Sequence, residues 1–165
     1  HRKNIGTPLD TGSMLMIAEF DPVHPERLIS EPKCLSRPLY GFENTEHTIN
    51  NEGPYAFYYH NKIYLAYSGG DARGYLYAIG MLTANDGDDL CDLSVWEKAK
   101  TPIASFATIP GEYGPGHNSF FWDRDQNLWI AYHAVTSFEE KIVSSGMRRV
   151  YFEQDKTPRF DVIVE

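Results

Sequence analysis

The sequence predicts an all-β protein built as blades of a β-propeller, and three observations carry that expectation. Short apolar and aromatic runs separated by turn-forming residues recur along all 165 residues, which is the pattern of half-buried strands. No convincing amphipathic helical period interrupts them. The chain also repeats itself: Glu52 and His117 stand 65 residues apart, as do Leu65-Ala66-Tyr67 and Ile130-Ala131-Tyr132. One hairpin-based unit therefore occurs twice, with a polar residue at its start, as in repeat architectures. Units of ~40–50 residues with four strands mark propeller blades, and the spacing of 65 fits a blade with long loops. Two units and the tail of a third are visible, fewer than the ~4 blades that close the smallest propellers.

Taken in order, Thr11 to Glu19 reads as a strand through Met14-Leu15-Met16-Ile17-Ala18, ended by Asp21-Pro22 and Pro25. A loop rich in proline, serine and charge runs to about Asn50. Tyr55–Tyr59 and Ile63–Ser68 form a hairpin around His60-Asn61-Lys62. After Gly69-Gly70-Asp71, the stretch Gly74–Thr83 reads as a third strand, followed by the acidic loop Asp86–Asp92. Asp92-Leu93-Ser94-Val95-Trp96 reads as a single helical turn or a loop, and Pro102 to Pro110 leads to the next unit. That unit repeats the plan with Ser119–Trp122, the turn Asp123–Gln126 and Leu128–Val135. Met147–Phe152 and Arg159–Val164 supply two last strands about a turn from Gln154 to Pro158.

Composition narrows the partners. Hydrophobic residues make up 42% and aromatics 14%, which argues for a folded, aromatic-filled β core. A formal charge of −8 with no basic run opposes the neutralisation of phosphates that drives nucleic-acid binding. A neutral polar ligand such as a sugar suits an acidic, aromatic-rich surface, as does no ligand at all. Cys34 and Cys91 have no metal-ligand spacing and read as unpaired thiols. No apolar run nears the ~20 residues of a membrane span. The amino-terminal His1-Arg2-Lys3-Asn4 lacks the apolar region of a signal peptide, which in a chain that begins mid-protein says nothing of export.

The chemistry concentrates where the units begin. In Asn51-Glu52-Gly53-Pro54 the proline holds its predecessors extended and the glycine admits another group close to the backbone. Glu52 would thus be presented at the start of an inner strand, where aromatic walls favour a neutral carboxyl able to act as a general acid. A glutamate merely ending a turn fits the same local sequence. Gly114-Pro115-Gly116 delivers His117 to the equivalent place in the second unit, where an imidazole could meet a cation, a water or a substrate hydroxyl. Arg148 and Arg149 open a strand, so alternation turns one of them inward, to bind sugar hydroxyls or pair with a carboxylate. An exposed basic pair is the other reading. Phe57, Tyr113, Trp122 and Tyr132 could face a sugar ring or simply fill the space between blades. Asp71, Asp86, Asp88 and Asp89 lie in turns that suit solvated roles. No P-loop, dinucleotide fingerprint, zinc pattern or Gly-x-Ser-x-Gly elbow occurs.

Taken together, Asn51-Glu52-Gly53-Pro54, Ala66-Tyr67-Ser68-Gly69-Gly70, Gly80-Met81-Leu82-Thr83-Ala84, Tyr113 through Phe120 and Tyr132-His133-Ala134 resemble glycoside hydrolase family 43. The likeness keeps the order and spacing of several motifs over most of the chain. It implies a five-bladed propeller of which residues 1–165 are the C-terminal part of a single domain, about the last two blades plus part of a third. It also implies inverting hydrolysis of arabinose- or xylose-containing glycans, plant-type polysaccharides or oligosaccharides, closest to α-L-arabinofuranosidases. Carried over by motif, Glu52 becomes the general acid, and His117 the axial histidine, often near a bound calcium ion. The family's general base and second acid lie upstream of the matched motifs, and neither role transfers to Asp10. Inverting hydrolysis needs an acid and a base ~6.5–9.5 Å apart. The expectation is therefore a glycosidase segment that carries the acid without its base, inactive until joined to the missing N-terminal blades. The rival reading is a complete, non-catalytic carbohydrate-binding or interaction module.

Overall fold

A computed structural model describes residues 1–137, 139, 140 and 142–161. Thirteen strands occur among them: β1 (Leu15–Ile17), β2 (Lys33–Ser36), β3 (Asn44–Thr45), β4 (Thr48–Ile49), β5 (Asn51–Tyr59), β6 (Lys62–Gly69), β7 (Ala78–Asn85), β8 (Glu97–Lys98), β9 (Tyr113–Trp122), β10 (Leu128–Val135), β11 (Val143–Arg149), β12 (Tyr151–Phe152) and β13 (Pro158–Arg159). Two 3-10 turns, Gly41–Glu43 and Leu93–Val95, are the helical elements among the described residues. The two large sheets are antiparallel, β5-β6-β7-β8 and β9-β10-β11, and each repeat unit builds one of them.

Local chemistry explains the hairpins. His60 and Asn61 hold φ of 45° and 63° between the paired Tyr59 and Lys62, the left-handed two-residue turn that matches strand twist. In the second unit Asp123 organises the turn by accepting from the amides of Asp125 and Asn127 and from Trp129 Nε1 at 2.7 Å. Those donors hold its carboxyl down at about 2.

The core lies between the two sheets. Phe57, Tyr64, Ile79 and Met81 of the first meet Phe120, Ile130 and Tyr132 of the second, closed by Val150 and Phe160. The rings of Phe57 and Phe120 lie 4.5 Å apart, and Phe57 stacks on Tyr64 at 4.9 Å, so aromatic faces supply much of the inter-blade contact.

Several sequence expectations change in detail. The strand expected over Thr11–Glu19 contracts to β1, whose partner β2 lies in the stretch read as loop. The third strand starts at Ala78 rather than Gly74, because the preceding segment crosses towards β9, where Gly114 donates its amide to the Tyr75 carbonyl. A fourth strand, β8, pairs with Leu82 and Thr83. The expected strand Met147–Phe152 starts at Val143 and breaks at Val150. Of Arg159–Val164, Arg159 ends β13 and residues 162–165 lie outside the described residues.

Candidate active site at the start of the inner strands

Both inner strands are bulged where the sequence places its polar residues. Between the pairs Glu52↔Ser68 and Tyr55↔Ala66, β5 carries one residue more than β6, with Gly53 at φ +56°. Between Gly116↔His133 and Ser119↔Ala131, β9 likewise carries one more than β10, with His117 at φ +51°. Bulges re-aim side chains; Glu52 stands in the ladder just before the first bulge, whereas His117 lies inside the second, in the place of Gly53. A Cβ on Gly53 would lie 3.4 Å from His117 Nδ1, so the left-handed glycine both makes the turn and admits the imidazole.

Around that contact lies a compact polar group. Glu52 is half-buried and its Oε1 accepts a 2.7 Å hydrogen bond from the hydroxyl of fully buried Tyr77. Ser68, also fully buried and paired with Glu52 across the ladder, accepts the His117 amide at 2.7 Å. The Tyr77 ring stacks on His133 at 5.6 Å, and His133 on His117 at 6.4 Å. Burial raises the Tyr77 phenol above its ordinary range, with the Glu52 carboxyl adding to the effect. Burial also lowers His133, the neighbouring His117 adding to that while the Ala72 backbone and Glu52 oppose it. His133 is thus held neutral near neutral pH, whereas His117 is exposed.

A second, buried polar knot anchors the strand start. Asn51 is 1% exposed and takes the Ser36 hydroxyl on Oδ1 while its amide donates to Glu43 Oε1 at 2.8 Å. Glu43, with no exposed surface, also accepts from Tyr67 at 2.7 Å and Lys98 at 2.5 Å, and from the backbone amides of Leu39 and Tyr40. The Tyr67 ring lies flat across Gly80, where a Cβ would come within 2.4 Å of it.

The second blade repeats this device with different residues. Tyr132 lies across Gly146 and donates to Glu112 at 2.5 Å, and Glu112 pairs with Arg148 at 2.7 Å. Arg148 also donates from Nε to the Tyr132 oxygen at 2.7 Å. The structure thus turns Arg148 into its own blade, while Arg149 is exposed and lies over the Tyr151 ring at 5.1 Å. Phe57 and Tyr132 belong to the core, and Trp122 is 46% exposed. Asp71 is held in its turn by the Arg73 amide, and Asp88 by the Asn85 amide. Asp10 is bound by Arg2.

Residues that sequence reasoning did not single out are Glu43, Ser68, Tyr77, Glu112 and His133. For Ser68 and His133 a signal existed, since they too stand 65 apart and lie in the quoted motifs. Glu43, Tyr77 and Glu112 offered none.

Calcium takes ~6–8 oxygen ligands. The neighbours of His117 named above offer one carboxylate, Glu52, and a second imidazole, so these residues do not by themselves make a calcium shell. The described side chains whose ligand atoms come within 4.8 Å of one another in a group of three are Glu19, Asp89 and Cys91, elsewhere in the chain.

A family model described as "Glycosyl hydrolases family 43" matches residues 9–158. The extracellular exo-alpha-(1->5)-L-arabinofuranosidase of Streptomyces avermitilis is 29% identical over 163 residues, covering 94% of this chain and 33% of the relative. Its namesake from Streptomyces chartreusis is 34% identical over 126 residues, covering 76% and 37%. Among solved structures, alpha-L-arabinofuranosidase from Lactobacillus brevis superposes with a TM-score of 0.76 at 29% identity, over 89% of this chain and 46% of that one. A xylan beta-1,4-xylosidase from Bacillus halodurans, 13% identical with a TM-score of 0.69 over 94% of this chain and 28% of that one, shares the fold. The chain is part of a β-propeller and spans about a third of the curated relatives' length.

Proposed function

We propose, from the premise that this chain belongs to glycosyl hydrolase family 43, that it supplies the proton donor of an inverting glycosidase acting on arabinose- or xylose-containing glycans. Glu52 is that donor. The observation that carries the assignment is the hydrogen bond from Tyr77 to one carboxyl oxygen of Glu52, at a bulged seat whose Gly53 packs against His117. A carboxyl fixed through one oxygen delivers a proton from the other in a defined direction, which general acid catalysis requires. Glu52 protonates the leaving oxygen as the glycosidic bond breaks, and a water on the opposite face of the sugar attacks the anomeric carbon. The base that activates this water stands ~6.5–9.5 Å from the acid and comes from outside the motifs matched here. The isolated chain is accordingly expected to lack hydrolytic activity.

The exposed His117 takes an axial role towards water, substrate or a cation. A calcium ion there would draw most of its shell from water and from groups outside this chain, and no step depends on it. Arg149, and any part of the Arg148 guanidinium not engaged by Glu112 and Tyr132, remain proposed sugar contacts. The test joins the chain to the part of the Streptomyces avermitilis relative that precedes the stretch it matches and assays aryl arabinofuranosides and xylosides. Glu52→Gln is expected to reduce turnover by roughly 10²–10⁴-fold. Undiminished turnover would end the assignment.

A further inference from the structure

Two hydrogen bonds stand at the candidate site. The His117 amide of β9 donates to Ser68 Oγ of β6, and Tyr77, on the segment before β7, donates to Glu52 Oε1. Glu52 and Ser68 face each other across the ladder of β5 and β6.

From this geometry we infer that Tyr77 is a positioning residue that holds one oxygen of Glu52 and reserves the other for the leaving group. This rests on the reading of Glu52 as proton donor. The placement is not incidental packing: Tyr77 is fully buried and crosses β9 at Gly116, where a Cβ would come within 2.0 Å of Cε1 of the ring. Its other face is covered by His133. The phenol cannot swing away, so the carboxyl it holds is fixed by both blades at once. Its effect passes through Glu52.

Leaving-group chemistry separates this role from simple support of the fold. An aryl glycoside with a dinitrophenolate leaving group needs little protonation, whereas one with an unactivated phenol depends on the acid. In the joined protein described above, Tyr77→Phe is expected to lower kcat on the unactivated substrate by roughly tenfold or more. On the activated one kcat should fall by less than about twofold, with KM little changed on both. Equal loss on both substrates would overturn the positioning role. If Glu52→Gln itself shows no leaving-group dependence, the donor reading has failed; if only Glu52→Gln shows it, the positioning role alone has failed. A second measurement needs no activity. In the 165-residue chain, proton NMR should show a Tyr77 hydroxyl protected from exchange and absent in Tyr77→Phe; no protected resonance would overturn the positioning role.

Discussion

Replacing Lys98 by methionine should destabilise this chain far more than loss of a surface lysine. The ammonium meets Glu43 Oε1 at 2.5 Å, and its side chain is 15% exposed against none for Glu43. It also donates to the Arg37 carbonyl at 2.7 Å and lies 5.3 Å from the centre of the Tyr67 ring. Burial lowers the Lys98 ammonium below the usual lysine range, and the Glu43 hydrogen bond and charge oppose that. Methionine would keep the packing of the stem but leave a wholly buried carboxylate without its counter-ion. Breaking a buried pair from one side costs ~3–5 kcal/mol. The lower end applies here, because Tyr67, Asn51 and two backbone amides still donate to Glu43. A loss of about 3 kcal/mol corresponds to a fall in Tm of about 6–12 °C for a domain of this size. Urea unfolding of Lys98→Met, Glu43→Gln and the double variant gives the full cycle, and a coupling of ~1–3 kcal/mol is expected. A single-variant cost below about 1 kcal/mol, additive in the double variant, would place the pair among ordinary surface ion pairs and refute the reasoning.

Two other perturbations follow from the same contacts. Asp123 is held at about 2, below its ordinary 3.8, so the unfolded chain takes up this proton first; the associated stability is present above pH about 4 and lost as pH falls towards about 2. Asp123→Asn should flatten acid unfolding in that window, and an unchanged profile would count against the turn's role. Gly116→Ala would drive a methyl into the Tyr77 ring, 2.0 Å from Cε1, with an overpacking cost at the upper part of ~1–3 kcal/mol. Thermal melts should show the loss, and the protected Tyr77 hydroxyl should disappear with it.

Much of the architecture was legible because it depends on periods and turns. The hairpin turn at His60-Asn61 and the strand Leu128–Val135 follow from local alternation and turn chemistry. The equivalence of Glu52 and His117 expected from their 65-residue spacing holds only to within one residue: Glu52 pairs with Ser68, but Gly116 rather than His117 pairs with His133, so His117 takes the place of Gly53 in its bulge. β8 is two residues long, too short for any period to announce it. The segment before Ala78 kept an apolar strand-like pattern although its residues turn across β9. Periodicity reports that side chains are buried and is silent on which neighbour buries them.

Residue types and their spacing determined the all-β class, the two units and the polar residue opening each. Tertiary packing decided what those residues touch. Glu43 has nothing in its neighbourhood to distinguish it from a surface glutamate, yet it is fully enclosed because Tyr67, Asn51 and Lys98, contributed by separate strands, converge on it. Tyr77 reads as one more aromatic in a run and becomes Glu52's partner only once Gly116 lets its ring cross β9. The reason is physical: hydrogen bonds between side chains form across distances in the chain that no local pattern encodes, and only the packed blades bring their partners within reach.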